Sequence, residues 1–353
     1  MTRVAAAAGR AWRRAWSHGR TPDPVVREEQ PLRAELFSVS QLEHHAGTLA
    51  GWHELAAPGR RFVDHLLPRL SANELALRIA HALLTTAVRA GTRITPAAEW
   101  FIDNYHLIEE QIRTARRHLP RGYSRELPRL ANALTPGTPR VYDIAIELIS
   151  HAHGRVDIDG LRAFVAAYQA TRPLTLGELW AVPIMLRLAL VENLRRIAAR
   201  VTAGRRDRQR ATHWVGRMLA VAAVDPARVV LVLAAMVEAS PDLSNAFVAE
   251  FSSLLQGQGP ALMFPVSWLE QRLAEQGLSI EHVFQLASQS QAADQVAIGN
   301  SISSLRFLGA TDWRDFVEAM SVVEATLRRD PAGVYAAMDF ATRDRYRHVV
   351  EAI

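Results

Sequence analysis

The densest group of residue types that could do chemistry lies between positions 101 and 113. Asp103, His106 and Glu110 are spaced i, i+3 and i+7, so a helix through this stretch would place them on one face, beside Tyr105. Two carboxylates and an imidazole suit proton transfer or metal binding. A glycoside hydrolase would need two carboxylates facing each other across a cleft, and the sequence places no such pair.

A second helix offers Glu147 and His151 at a spacing of i, i+4, followed closely by His153. With the first group these residues could bind a cation in the core of a helical bundle. Buried polar networks that tie helices together use the same residue types, and we favour that interpretation. We therefore predict no catalytic residue, no cofactor-binding residue and no metal ligand in this chain.

Asp157 and Asp159 form an Asp-x-Asp pair, the pattern with which many glycosyltransferases hold the metal of a sugar nucleotide. That chemistry needs both carboxylates at the end of a strand, facing a diphosphate through the cation. Here the pair precedes a helical pattern, so we expect it to cap that helix. Gly257 and Gly259 have no strand–helix context that would make a phosphate loop.

An arginine-rich stretch, residues 195–217, contains eight arginines and one acidic residue. Arg205, Arg206 and Arg208 lie at its centre and are the best candidates for contact with an anionic surface, either lipid headgroups or an acidic protein partner. The alternative is a solvated loop. All 41 basic residues of the chain are arginine and the net charge is only +5, which indicates a composition bias and argues against a nucleic-acid partner.

The elements that must position these residues are helices, because from residue 31 onward apolar residues recur with a period of 3.6. Capping boxes are expected at Ser40 with Glu43, Ser71 with Glu74, and Thr175 with Glu178. We predict an all-α fold of antiparallel helical hairpins, forming a multi-helix bundle or an irregular helical array. The predicted helices cover 39–56, 60–68, 72–90, 96–118, 124–133, 140–152, 158–171, 176–203, 208–223, 227–239, 242–256, 266–276, 280–307, 312–328, 331–339 and 342–353.

The composition is that of a folded protein, with 49% hydrophobic and 22% charged residues among 353. The chain has no cysteine, which excludes disulfides and thiolate metal sites. We predict a basic, flexible tail at 1–30, an N-terminal helical subdomain at 31–203 and a C-terminal one at 204–353. The most apolar short run, residues 229–237, falls well below the ~20 residues of a membrane span, so we expect a cytoplasmic chain.

The last predicted helix carries an apolar face formed by Tyr346, Val349, Val350 and Ile353. No Gly, Asn or Pro ends this helix, whereas such residues usually follow a completed one. We interpret the chain as one cut from a longer protein.

Several of these segments resemble the N-terminal region of bacterial cyclic β-1,2-glucan synthases. The resemblance covers about residues 31–353. It is carried by LRAELFS at 32–38, residues 101–113, RGYSRELP at 121–128, LTLGELWAVPIMLR at 174–187, ENLR at 192–195, SQSQAADQVAIGNSISSLR at 288–306, and the run from DWRDF at 312–316 to DRYR at 344–347.

Members of this family are very large inner-membrane enzymes. They polymerise glucose from UDP-glucose with a divalent metal, close the chain into a ring and trim it by phosphorolysis. The resemblance implies that this chain precedes the glycosyltransferase module and the transmembrane helices and holds none of the family's catalytic residues. The implied location is the cytoplasmic side of the bacterial inner membrane, with a soluble product if the segment is expressed alone.

The resemblance thus implies a non-catalytic scaffold or docking region whose partners are the glycosyltransferase module and transmembrane helices of the same parent chain, with the membrane surface as a further candidate. The residues expected to fix helix packing or module docking are Asp103, Tyr105, His106, Glu110, Trp180, Arg187, Glu192 and Asn193. The alternative is a free-standing helical module that binds anionic lipid or an acidic partner through Arg205, Arg206 and Arg208. A helical enzyme acting on glucan through Asp103 and Glu110 is the third hypothesis.

Overall fold

The computed structural model describes residues 31–351, except 33, 58–59, 61, 121, 134 and 240–242. The predicted tail at 1–30 and Ile353 lie outside the described residues. Within the described part of the chain there are sixteen α-helices and two short 3-10 turns, and β pairing is confined to two isolated bridges. The prediction of an all-α fold is confirmed.

The helices are α1 (Val39–Trp52), α2 (Leu66–Arg89), α3 (Pro96–Asp103), α4 (Tyr105–His118), α5 (Tyr123–Glu126), α6 (Arg140–His151), α7 (Ile158–Gln169), α8 (Leu176–Ala222), α9 (Val229–Ala239), α10 (Asn245–Leu255), α11 (Met263–Ala274), α12 (Ile280–Ala310), α13 (Trp313–Met320), α14 (Val322–Leu327), α15 (Val334–Ala337) and α16 (Phe340–Glu351). In the described part of the chain, no helix combines the length and apolar character needed to cross a lipid bilayer.

These helices form two compact units. The first contains the described residues up to Ile79, those of Asp103–Ile197 and those from Ala297 onward, and the second contains Ala80–Ile102 and Ala198–Val296. Helices α2, α3, α8 and α12 contribute residues to both units. The predicted subdomains, 31–203 and 204–353, are contiguous in sequence, whereas these units are assembled from separate stretches.

Helix α6 is the most enclosed element of the first unit, because every one of its residues except Glu147 is buried. A helix enclosed on all sides must find internal partners for its polar groups. Arg140, Asp143 and His151 each have such partners. Beside this helix, α1 packs against α7, with Ala46 and Phe164 fully buried.

The second unit has an apolar core of ordinary composition. Its buried members come from the C-terminal half of α8, from α9 to α11 and from the start of α12. Phe247 and Phe251 of α10 stack with their ring centroids 5.5 Å apart. This unit also buries the carboxylate of Asp294 and the hydroxyls of Thr202 and Ser252.

The long helix α8 corrects the prediction of two helices, 176–203 and 208–223, with a break near Gly204. The structure has one helix that continues through this glycine and through Pro183. A glycine inside a helix costs only about 1 kcal/mol relative to alanine. Around Gly204, the helix is held by an ion pair from Arg200 to Asp294 and by another from Arg210 to Asp207.

Other predicted boundaries are also wrong. Asn104 and Ser321 divide the helices predicted at 96–118 and 312–328, the helices predicted at 60–68 and 72–90 are the single helix α2, and those predicted at 124–133 and 331–339 are reduced to α5 and α15. Since Ser71 lies inside α2, the capping box predicted there is wrong.

The capping residues show how local these errors are. Helix α1 is capped by Ser38 with Gln41, two positions before the predicted pair of Ser40 and Glu43. The capping box of Thr175 and Glu178 is confirmed by reciprocal backbone-to-side-chain hydrogen bonds of 2.9 and 3.2 Å.

Candidate functional site

The acidic and histidine side chains predicted on one face of residues 101–113 point to solvent. Asp103 ends α3, His106 and Glu110 lie on α4, and all three are exposed. Tyr105 between them is buried. Burial and the negative charge of Glu109 raise the pKa of Tyr105 to about 12, so it stays a neutral phenol.

Glu192 of α8 is the centre of a buried charged cluster in the first unit. Its carboxylate accepts two hydrogen bonds from Arg69, one from Asn73 and one each from Arg195 and Arg196, over 2.6–3.0 Å. Burial alone would raise the pKa of Glu192, but the positive charges of Arg196, Arg195 and Arg69 outweigh it and hold the pKa well below its usual value. Glu192 is therefore an ionised packing residue and has no free lone pair directed at solvent.

Asn193, the next residue, joins three parts of the first unit. Its Oδ1 accepts from the backbone N–H of Leu32 at 3.1 Å, and its Nδ2 donates to Ser301 of α12 at 3.2 Å. Gly154 lies against the same side chains, and a Cβ there would be 2.5 Å from Ser301 Oγ. The side-chain amide of Asn193 thus contacts the segment before α1, the turn after α6 and helix α12.

Trp180 and Arg187 are also on the buried side of α8. Arg187 donates from Nε to Gln111 at 2.9 Å and from Nη2 to the carbonyl of Leu308 at 3.0 Å, while burial lowers its pKa. The ring of Trp180 meets Phe340 of α16 edge-on at 6.2 Å. Both side chains therefore contact other helices and not a cavity.

A second polar cluster lies on α6 and contains histidines from two helices. Nε2 of His45 on α1 lies 2.9 Å from Oε2 of Glu147, and Nε2 of His151 lies 3.6 Å from the same oxygen. His153, which the sequence grouped with Glu147 and His151, instead directs its Nε2 at the carbonyl of Ala34. His45 takes the place of His153 beside Glu147. Nothing in the sequence around His45 indicates its contact with Glu147.

One helical turn before Glu147, the carboxylate of Asp143 accepts a hydrogen bond from Nε2 of His53 at 3.1 Å. With that proton on Nε2, the ring accepts at Nδ1 from the hydroxyl of Tyr168 at 2.7 Å. Burial raises the pKa of Asp143 above its usual value, and the bond from His53 offsets this only in part. This chain of three satisfied polar groups joins α6, α7 and the end of α1.

The predicted helix cap at Asp157 is confirmed. Its Oδ1 accepts from the backbone N–H of Gly160 at 2.8 Å, at the start of α7. The carboxylate is thereby engaged as the N-cap of α7. The Asp-x-Asp pair is part of a helix terminus, as expected from the helical pattern that follows it.

Most arginines of the arginine-rich stretch contact side chains of the unit to which each of them belongs. Besides the arginines bound to Glu192, Arg200 pairs with Asp294, Arg210 pairs with Asp207, and Arg217 lies over the ring of Trp214 at 4.8 Å. The predicted anionic-surface residues lie between these pairs. Arg206 is exposed and Arg205 and Arg208 are half-buried, all on the helix and not on a loop.

The last helix, α16, buries a charge and exposes its apolar residues. Arg347 is completely buried and donates to Glu324 at 2.8 Å and to Glu318 at 3.1 Å. On a neighbouring face of the helix, the side chains of Tyr346, Val349 and Val350 are 48%, 60% and 41% exposed. We call these three residues the α16 apolar face.

In the first unit the buried carboxylates of Glu178, Glu192 and Glu324 are paired with arginines, whereas buried Arg187 is bound by neutral groups. The sequence located Glu192, Asn193 and Arg187 but missed their partners, Arg69 and Gln111, and it missed the burial of Arg347. These partners lie far away in sequence, so periodicity within one helix carries no signal for them.

A search against family models finds no match. Over 322 residues, 91% of its length, the chain is 33% identical to the cyclic β-(1,2)-glucan synthase NdvB of Rhizobium meliloti (strain 1021). The chain spans only 11% of the length of that relative.

Proposed function

Because this chain belongs, over the matched segment, to the cyclic β-(1,2)-glucan synthase family, we propose that it is a non-catalytic helical scaffold that docks on the rest of a longer synthase chain. In that enzyme it would support synthesis of the glucan without touching the reacting sugar. UDP-glucose and a divalent metal would bind the glycosyltransferase module, outside this segment. The segment alone would transfer no glucose.

The observation that carries the docking role is the α16 apolar face. Tyr346, Val349 and Val350 follow the i, i+3, i+4 spacing of one helical face. Arg347 anchors a neighbouring face of the helix by its bonds to Glu318 and Glu324, so the helix cannot rotate the apolar face inward without breaking a buried ion cluster. Adjacent exposed apolar side chains mark contact surfaces.

The proposed occupant of this face is the glycosyltransferase module or a transmembrane helix of the parent chain. Since the relative is much longer than this chain, it supplies segments that are absent here. Docking within one polypeptide also has a high effective concentration, so a small apolar face is sufficient to hold the module. We place this contact at the cytoplasmic side of the bacterial inner membrane.

The test is made in the full-length parent chain in its own cells. The double variant Val349→Asp, Val350→Asp adds two charges to the α16 apolar face and should lower the yield of cyclic β-(1,2)-glucan, while the purified segment with the same changes keeps its unfolding temperature. Val322→Asp, at a half-exposed valine of α14, is the matched control. Unchanged glucan yield in the double variant would contradict docking through this face.

The anionic-surface alternative is favoured by one observation, the exposure of Arg206 between the half-buried Arg205 and Arg208. It predicts salt-sensitive co-sedimentation with anionic vesicles. Arg206→Glu with Arg208→Glu should abolish that binding, while Arg329→Glu with Arg345→Glu, an equal change in net charge at exposed positions, should not. Equal behaviour of both double variants would remove this alternative.

A further inference from the structure

We infer that His45, Glu147 and His151 form a site for one divalent transition-metal cation of the zinc type, joining α1 to α6. This inference stands apart from the proposed function and departs from the sequence-based expectation of a chain without metal ligands. It rests on the positions of three donor atoms and on the groups that hold them.

The three donor atoms already lie at the separations of a common coordination sphere. Two ligand atoms about 2.0–2.1 Å from a tetrahedral zinc ion lie about 3.3 Å apart. Nε2 of His45 and Nε2 of His151 are 2.9 and 3.6 Å from Oε2 of Glu147, and all three donor atoms lie within 4.8 Å of one another. A cation therefore needs only small side-chain rotations to reach all three.

The second nitrogen of His151 fixes which of its atoms faces the site. Nδ1 lies 2.8 Å from the backbone carbonyl of Glu35. A carbonyl only accepts, so Nδ1 carries a proton, and in its neutral form the ring presents the lone pair of Nε2 to the site. Metal-bound histidines are held in this way by an outer hydrogen bond to a carbonyl or carboxylate.

The rings are also held by aromatic contacts. Phe37 stacks on His151 with its centroid 3.9 Å away and meets His45 edge-on at 5.5 Å. Phe164 packs near His45. Such packing limits rotation of the imidazoles and leaves the donor atoms in place before a cation arrives.

The donor types select the metal. Two imidazoles and one carboxylate suit zinc and its neighbours, whereas magnesium and calcium prefer oxygen ligands. The side chains of His45, Glu147 and His151 are 25%, 24% and 11% exposed, which lets a cation enter and water take a fourth position.

Without a cation, the same atoms would have to be joined by protons alone. Nε2–H of His45 would donate to Glu147, and His151 would need a second proton to do the same. A bound zinc ion would replace both of these protons. The distances alone do not distinguish the proton-linked cluster from the zinc site, whereas the affinity for the metal does. Binding is therefore the decisive measurement.

The test uses tag-free protein freed of metal with a chelator and titrated with zinc chloride by calorimetry. One zinc ion should bind per chain and raise the unfolding temperature, because a ligand of the folded state stabilises it. Magnesium chloride should do neither. Cobalt(II), as a spectroscopic probe, should give the visible absorption of a four-coordinate nitrogen–oxygen site, a result that needs no variant.

Two ligand variants and one matched control locate the site. His45→Ala and His151→Ala should each weaken zinc binding by more than the roughly tenfold cost of losing an outer partner of a ligand. His44→Ala, at the exposed neighbouring position on α1, should bind zinc like the unmodified chain. Circular dichroism verifies that each variant is folded. The inference is overturned if the unmodified chain shows no saturable zinc binding, or if His44→Ala and His45→Ala lose it equally.

Discussion

Arg69 of α2 holds Glu192 of α8 with two hydrogen bonds, from Nη2 to Oε1 at 2.6 Å and from Nε to Oε2 at 2.9 Å. Arg195 and Arg196 reach the same buried carboxylate. One anion is therefore the shared counter-ion of three guanidinium groups in the first unit. Such a cluster stabilises the fold only while all of its charges are present, because each remaining charge would otherwise be buried without compensation.

Removing the charge of Glu192 should destabilise the protein strongly. Glu192→Gln keeps the size of the side chain but leaves the arginines uncompensated, and we expect a loss of about 3–5 kcal/mol in the free energy of unfolding. Urea denaturation measures it. Glu110→Gln, the same change at an exposed position, should stay within about 0.5 kcal/mol of the unmodified chain. Similar losses in the two variants would show that the cluster contributes no net stability.

The same carboxylate predicts a specific sensitivity to acid. The pKa of Glu192 is raised by burial but lowered further by its arginines, and lies well below 4.5 in the folded state. The unfolded chain therefore takes up this proton first, so the stability from Glu192 is present above about pH 4.5 and is lost as the pH falls from there toward the folded-state pKa.

The measurement is the difference in unfolding free energy between the unmodified chain and Glu192→Gln, taken by urea denaturation at several pH values. This difference should be constant near neutral pH and should shrink below about pH 4.5. A difference that stays constant on acidification would contradict the assigned pKa.

Gly154 should not tolerate a side chain. Its φ is +80°, and a Cβ would lie 2.5 Å from Ser301 Oγ and 3.2 Å from Asn193 Nδ2. Gly154→Ala combines a left-handed backbone cost of about 1–2 kcal/mol with an overpacking cost of about 1–3 kcal/mol. The control is Gly277→Ala, where φ is +71° and nothing lies within 4 Å of the added carbon. In thermal unfolding the control should lose only the backbone part, and an equal loss in both would exclude the close contact.

Arg347 should matter for stability although it lies in the last helix. Arg347→Met removes the fully buried cation that pairs with both Glu324 and Glu318 and leaves only the more exposed Arg328 and Arg343 beside them, and we expect a loss of about 3–5 kcal/mol. Arg345→Met makes the same chemical change at an exposed position and should have little effect. Urea denaturation distinguishes the two, and a tolerant Arg347→Met would mean that α16 is held mainly by other contacts.

Features set by neighbouring residues could be predicted from the sequence. Thr175 and Glu178 satisfy each other across one turn, and Asp157 accepts from a backbone N–H three residues later. Both patterns are complete within four residues, so the sequence contains all the groups involved. The all-α fold class follows from the same short-range periodicity.

Contacts between distant segments could not be predicted. His45 and Glu147 are 102 positions apart, and the adjacent pair of His44 and His45 gives no sign that only the second turns toward α6. The burial of Arg347 is another case, because hydrophobic periodicity places the apolar face of α16 inward. Its charged face is buried instead, since Glu318 and Glu324 lie on that side.

The predicted break in α8 is wrong for a related reason. A run of arginines around a glycine indicates a loop as long as the acidic partners of these arginines are unknown. Asp294 and Asp207 pair with Arg200 and Arg210, which removes much of the repulsion within the run, and the helix continues. The partner of Arg200 lies on another helix, beyond the reach of a local pattern.

The central claim is that this chain is a scaffold segment of a cyclic β-(1,2)-glucan synthase. It is tested most directly by an immunoblot, with an antibody to this chain, on separated membrane and soluble fractions of the cells that produce it. The account predicts one band far larger than 39.2 kDa in the membrane fraction. A soluble band near 39.2 kDa, with no larger species in the membranes, would contradict it and would make the chain an independent protein.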